Sequence, residues 1–261
     1  ADAKAEILED ASASDLLVAS ADDARIAARI GAFAGRTVTF GISDRADVRA
    51  SRVEHRGLEG MAATITTRSG GEARVVFPLL GSGNLMNLLG AAAVATELGV
   101  PLEAVARRAE AIAPPPHRGE LLRLPGGITL IDDSYNASPA ALEHALETIH
   151  TATGNARKVA VLGEMLELGA HSARLHARAG RIAAESGLDL LVTVGGPAAQ
   201  AMAFSAANAG MASSAVVYAA TSAEAAEIAA TKIRPGDLVL VKGSHGIRTD
   251  VVVDRLKAEY A

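Results

Sequence analysis

The sequence predicts an α/β protein built as two folding units, on three observations. From residue 128 onward, short apolar segments alternate with helix-length segments, the mark of a parallel sheet wound on both faces. Before residue 113, several strand-like segments follow one another without helices between them, which suggests antiparallel additions to a sheet. Between the two lies Ala113-Pro114-Pro115-Pro116-His117-Arg118, where three prolines stop a helix and make a stiff connector. The expected division is therefore residues 1–113 and 114–261.

Composition removes several classes of function. The 261 residues include no cysteine, which excludes disulfides, thiolate catalysis and thiolate metal sites. A formal charge of −5, no Lys/Arg cluster, 3% aromatic residues and no Trp argue against a nucleic-acid binder. No apolar run approaches the roughly 18 residues of a membrane span, and the start Ala-Asp-Ala-Lys-Ala-Glu is not a signal peptide. A cytoplasmic location is the default expectation.

Taken in order, residues 1–10 read as the end of a helix without a cap, a hint of further chain upstream. A buried-type strand at 16–19 leads into Ser20-Ala21-Asp22-Asp23, whose two carboxylates are expected to cap a helix at 24–30. Strands are expected at 37–42, 48–55, 62–67 and 73–80, the last two joined by a Ser69-Gly70-Gly71 turn. A small-residue-rich helix opens at Gly81-Ser82-Gly83-Asn84 and runs to about Leu98, and a second starts with Pro101 in its first turn and ends near Ile112. Asn84 and Asn87, three residues apart, share one face, and an amide offers both the donor and the acceptor that suit a purine edge. Asn84 as a simple helix cap is compatible with the same residues.

In the second unit, strands are expected at 128–131, 158–162, 190–194, 215–218 and 238–241, each followed by a helix, at 139–151, 174–186, 197–208, 223–231 and 247–260. The stretch I-T-L-I-D-D-S-Y-N-A-S-P, residues 128–139, holds the densest chemistry. A β-favouring run ends in two carboxylates, a hydroxyl, a phenol and an amide, just before a helix with Ser138 as its cap and Pro139 in its first turn. Open α/β sheets bind ligands at such strand ends, although a plain polar turn would read similarly. Alternation sends Asp132 and Asp133 to opposite faces. Asp133 is the one expected to meet a ligand, and Asp132 to serve the helix start or the sheet interior.

D-D-S-Y-N-A-S-P resembles the signature of the Mur ligases, in particular those adding D-alanyl-D-alanine, where the motif usually reads D-D-S-Y-N-A-N-P. Further matches run from Ala3 to about Leu256: A-K-A-E-I, S-A-D-D for N-A-D-D, G-S-G-N-L-M-N for G-x-H-N-x-x-N, P-H-R, G-E-M-L-E-L-G, and K-G-S-H-G for K-G-S-R-G. The resemblance implies the end of a P-loop-type ATPase central domain followed by a Rossmann-like parallel-sheet C-terminal domain, which closes over the first. It implies an ATP- and Mg²⁺-dependent amide ligase working through an acyl phosphate, with UDP-N-acetylmuramoyl-tripeptide and D-alanyl-D-alanine as substrates. In that family the match of Lys4 is carbamylated and helps hold Mg²⁺, those of Asn84 and Asn87 contact adenine, that of Arg118 reaches the phosphates, and that of Asp133 reaches the ribose side. Tyr135, Asn136, Lys242 and Ser244 are expected at the substrate. Ser20, Gly83 and His245 depart from the usual Asn, His and Arg.

A P-loop, G-x-x-x-x-G-K-(S/T), is absent from the sequence, and the family carries it ahead of the A-K-x-E-I segment. The chain thus reads as the second half of a ligase, lacking the N-terminal half and inactive alone. Two alternatives are another amide ligase of the superfamily (diaminopimelate-adding or folylpolyglutamate type) and a non-catalytic nucleotide-binding module. The absence of D-N-P-R speaks against the first. Lys4, Asn84, Asn87, Arg118 and Asp133 occurring together speak against the second.

Overall fold

In the computed structural model, residues 2–154 and 157–260 are described, and the chain divides into two compact units, Ala1–Ala113 and Pro114–Ala261. The first opens with a short helix α1 (Asp2–Ala5) and holds a five-stranded sheet of β1 (Leu16–Ser20), β2 (Arg36–Gly41), β3 (Val48–His55), β4 (Met61–Thr67) and β5 (Glu72–Phe77), in that order. Helix α2 (Ala24–Ile30) connects β1 to its parallel neighbour β2. Strand β4 pairs antiparallel with both β3 and β5, whereas β3 meets β2 in parallel through Phe40–Val48 and Gly41–Arg49. That short return is closed by Asp47, whose carboxylate accepts from the Thr39 amide and hydroxyl at 2.9 and 2.8 Å.

Two helices complete this unit, α3 (Gly81–Glu97) and α4 (Leu102–Ala109). Leu85, Leu89, Ala92 and Ala93 of α3 meet Ile65, Val75 and Phe77 of the sheet in a fully buried core. The expectation for Asp22 fails. Asp23 alone caps α2, accepting from the Arg25 amide at 2.8 Å, while Asp22 accepts from the Ile42 and Ser43 amides beyond β2.

The second unit is a six-stranded sheet ordered β10-β9-β8-β11-β7-β6, formed by β6 (Glu120–Leu124), β7 (Ile128–Asp133), β8 (Lys158–Gly163), β9 (Leu190–Val194), β10 (Val216–Ala219) and β11 (Leu238–Lys242). Its helices are α5 (Pro139–Thr151), α6 (Ser172–Glu185), α7 (Pro197–Asn208), α8 (Ser222–Lys232) and α9 (Asp250–Glu259). The strands β7 to β11 are parallel, and β7, β8, β9 and β11 are buried almost throughout, as a sheet covered on both faces requires. Alternate residues Ile128, Leu130, Val159, Val161, Val239 and Val241 pack with α8 and α9. By the two-residue period, the intervening residues face the opposite side.

The strand β6 was not expected, and it makes the sheet mixed rather than wholly parallel. It runs antiparallel to β7 after a Pro125-Gly126-Gly127 turn in which both glycines take positive φ. Its pairing sets Glu120 opposite Asp132 and so draws residues 117–119 alongside the end of β7. Helix α9 also starts later than expected, because Arg248 adopts a left-handed conformation between the His245–Ile247 turn and Asp250.

Candidate nucleotide and substrate site

The site of the second unit sits at the carboxyl ends of β7, β8 and β11, which are adjacent in the sheet. Register places Lys242 directly opposite Asp133, on one face. The Lys242 ammonium, 3% exposed, donates to Asp133 Oδ2 at 2.6 Å and to the Asn136 carbonyl at 3.0 Å. Asp133 keeps about a quarter of its side chain exposed. Burial pushes its carboxyl above the ordinary aspartate value, with the neighbouring Asp132 adding to this and Lys242 and Arg118 acting against it.

Asp132 points the other way and is fully buried. Its Oδ1 accepts from the Ser134 hydroxyl at 2.6 Å and amide at 3.2 Å, and its Oδ2 from His117 Nδ1–H at 2.8 Å. Its partners are thus His117 and Ser134 rather than the helix start, which Ser138 caps by accepting from the Ala141 amide.

Arg118 is exposed and lies with its guanidinium carbon 4.1 Å from the Tyr135 ring centroid, a cation–π contact. On Tyr135, 44% exposed, a second ring approaches, that of the exposed His245 at 5.7 Å between centroids and 35° between planes. Asn136 is exposed, with its Oδ1 accepting from the Ala137 amide at 2.8 Å. Lys242 and Ser244, expected at the substrate, are instead buried in the wall. Ser244 Oγ accepts from the Leu166 amide at 2.9 Å and lies 3.4 Å from the Ala137 carbonyl. Both therefore shape the turn that carries Asp133 to Ala137.

The G-E-M-L-E-L-G segment also proves to be a support. Glu164 Oε1 accepts from the Ala198 and Ala199 amides at the start of α7, where a helix leaves donors open, and Met165 N–H donates to the buried His176. Gly243 cannot be larger, since a Cβ there would lie 2.7 Å from Thr249 Cγ2 and 3.2 Å from the Gly163 Cα.

The first unit carries the remaining expected residues. Asn84 Nδ2 donates to the Leu80 carbonyl at 2.8 Å, just before α3, and Asn87 Nδ2 reaches Asn84 Oδ1 at 3.4 Å. The two amides thus share a face at the helix start, with Asn87 exposed. Lys4 is exposed on α1 and borders a cleft of about 480 Å³ together with Ile7, Leu17, Ile26 and Phe40.

Two family models match the chain, the Mur ligase middle domain over residues 1–95 and the Mur ligase glutamate ligase domain over residues 117–245. The chain belongs to the Mur ligase family. Among Mur ligases, it is 34% identical over 277 residues to the UDP-N-acetylmuramoyl-tripeptide–D-alanyl-D-alanine ligase of Mycobacterium tuberculosis (strain ATCC 25618 / H37Rv), covering 99% of this chain and 54% of the relative. The ligase of the same name from Bacillus subtilis (strain 168) is 29% identical, over 75% of this chain and 41% of that one. The chain spans about half the length of the curated relatives it matches.

Solved Mur ligases share the fold. A MurF structure from Acinetobacter baumannii superposes with a TM-score of 0.82 at 27% identity, covering 98% of this chain and 55% of its own. The MurF ligase from Thermotoga maritima in complex with ADP gives the same TM-score at 22% identity, covering 99% and 57%. Among the described residues, no helix is long and apolar enough to cross a membrane.

Sequence reasoning had missed His117, Ser134 and Glu164 as site supports. His117 was within reach, because it precedes Arg118 directly. Its partner lies 15 residues on and is brought close only by β6.

Proposed function

We propose that this chain forms part of an ATP-dependent amide ligase that joins D-alanyl-D-alanine to UDP-N-acetylmuramoyl-tripeptide in peptidoglycan precursor synthesis. The observation that carries the reading is an exposed guanidinium stacked on Tyr135 beside the Asp133–Lys242 pair, at the strand ends where such folds bind ligands. The 34% identity to a ligase of that name over 99% of the chain supports it.

Bound ATP would supply the phosphoryl group that activates the substrate carboxylate. The protein's share is alignment and charge neutralisation. Arg118 presents a planar fork of donors to phosphate oxygens. Asp133 has Oδ2 tied to Lys242, which leaves Oδ1 to accept from ribose hydroxyls. Asn84 and Asn87 offer amide groups to adenine. Tyr135 and Asn136, both exposed, line the substrate side.

Mg²⁺ is a poorer fit to these residues. Among the described residues there is no group of three or more His, Asp or Glu side chains that could hold a metal ion. Lys4, if carbamylated, would supply oxygen ligands suited to a hard cation.

The test is phosphate release by a ligase of full family length containing this sequence, with each amine offered in turn. Turnover should require D-alanyl-D-alanine, and Arg118→Ala should lower kcat/KM for ATP by roughly 10- to 150-fold, the worth of one charged hydrogen bond. Turnover with diaminopimelate or glutamate but not with D-alanyl-D-alanine would overturn the reading.

A further inference from the structure

Asp132 is a fully buried carboxylate that none of the proposed ligand contacts uses. Burying such a group is costly unless every oxygen finds a donor, and here both do. One of those donors is His117, and the question is what this bond accomplishes.

Residues 117–119 carry Arg118, and their recorded attachments converge on the end of β7. His117 Nδ1–H donates to Asp132 Oδ2 at 2.8 Å, and the His117 carbonyl accepts from the Tyr135 amide at 3.1 Å. The Gly119 amide donates to the Asp132 carbonyl at 2.9 Å, and the Arg118 amide to the Pro115 carbonyl at 3.2 Å. His117 itself sits at φ 61°, a left-handed conformation that costs free energy in any residue with a Cβ and persists only when its surroundings hold it. Besides the Arg118 contact on Tyr135, what depends on residue identity in this tripeptide is the His117 ring nitrogen, bonded to Asp132 at 2.8 Å with the Ser134 hydroxyl at 3.5 Å.

We infer that His117 is a positioning residue. Clamped to the buried Asp132 carboxylate, it holds the turn that lays the Arg118 guanidinium on the Tyr135 ring next to Asp133. A carboxylate only accepts, so the bonded nitrogen must carry hydrogen, as it does in the neutral Nδ1–H tautomer and in the imidazolium. The clamp therefore works in either charge state. An arginine held in place loses less freedom when it meets a ligand than one that must be ordered first. This deepens the proposed role of Arg118 at the nucleotide and rests on it for its kinetic consequence, though not for its geometry.

Three substitutions separate the side-chain bond from the backbone conformation. His117→Ala removes the bond and keeps the strain. His117→Gly removes the bond and relieves the strain. His117→Asn keeps an N–H donor close to the ring nitrogen's place and tolerates the left-handed region.

The first readout is NMR of the 261-residue chain, following the ring-current shift of the Arg118 δ and ε protons, with Tyr135→Leu as the reference without a ring. The wild type and His117→Asn should keep the upfield shift, while His117→Ala and His117→Gly should lose most of it. The second is the steady-state kinetics of the full-length ligase. There the KM for ATP should rise roughly tenfold or more in the Ala and Gly variants, stay within about threefold in the Asn variant, and leave the KM for D-alanyl-D-alanine unchanged. Should His117→Ala fail to fold, the Gly and Asn variants give the same contrast.

Unchanged Arg118 shifts in His117→Gly would overturn the inference, as would equal rises in both KM values. If Arg118→Ala left ATP kinetics untouched, the nucleotide role of Arg118 would fall, and the Arg118 shifts alone would then decide the clamp.

Discussion

Removing the Asp132 carboxylate should destabilise the second unit, and by an amount that depends on what replaces it. In Asp132→Ala, the Ser134 hydroxyl and amide lose their acceptor in a site only 2% exposed, and His117 loses its partner. A hydrogen bond to a charged group contributes about 1.5–3 kcal/mol. Release of the carboxylate from burial offsets part of the loss, so about 3 kcal/mol is expected. For a domain of this size that corresponds to a fall in Tm of about 6–12 °C.

Asp132→Asn is milder. Its Oδ1 still accepts from Ser134, and its amide can donate to the other neutral tautomer of His117, so the expected cost is about 1 kcal/mol and about 2–4 °C. Tyrosine emission during heating or in urea is a selective assay. The chain has no Trp, and its three tyrosines, Tyr135, Tyr218 and Tyr260, all lie in residues 114–261. The signal therefore reports on the second unit. A Tm for Asp132→Ala within about 1 °C of wild type would refute the argument that this carboxylate is a structural anchor.

The other expectations concern Asp133 and the chain as a whole. In the full-length ligase, Asp133→Asn should raise the KM for ATP and lower kcat; steady-state kinetics identical to wild type would reject its placement at the ligand. The same carboxyl carries a pH signature. Because burial raises its folded value, its contribution favours the folded state below the ordinary value of about 3.9 and is lost as pH rises through the raised one. Urea midpoints should therefore shift in favour of Asp133→Asn as pH climbs across that window, and a shift the other way would show the folded value to be depressed. The 261-residue chain alone should show no ATP-dependent ligation and only weak ATP binding, since it has no P-loop amides for the β- and γ-phosphates. Tight, Mg²⁺-dependent binding in calorimetry would contradict that.

What could be read from the sequence was what local physics decides. Strands β8, β9 and β11 are short apolar runs bounded by polar residues, and Ser138 before Pro139 announces a helix start, so both appear where expected. Strand β6 escaped notice because Glu-Leu-Leu-Arg-Leu is a half-exposed edge strand with neither a continuous apolar run nor a clean alternation. Asp22 looked like a cap, but the amides that claim it lie some 20 residues away. The pairing of Lys242 with Asp133 spans 109 residues and follows from β11 inserting beside β7, a topological fact that no window of sequence contains.

The two adjacent carboxylates at the end of β7 are not duplicates. A strand sends neighbours to opposite faces, and here the faces differ in kind. Asp132 turns towards the side closed by α8 and α9, where it is fully buried and its oxygens are taken by Ser134 and His117. Asp133 turns towards Lys242, which holds its Oδ2, and stays partly open. Shifting the strand by one residue would exchange the two environments. Asp133 would then lie on the closed face, away from Lys242, where the donors that make the burial of Asp132 tolerable are placed for a different residue. Strand β6 is what makes the arrangement productive, since its pairing to β7 delivers His117 to the buried carboxylate and Arg118 to the open side in consecutive residues. The least conspicuous strand in the sequence thus carries the arginine to the aspartate.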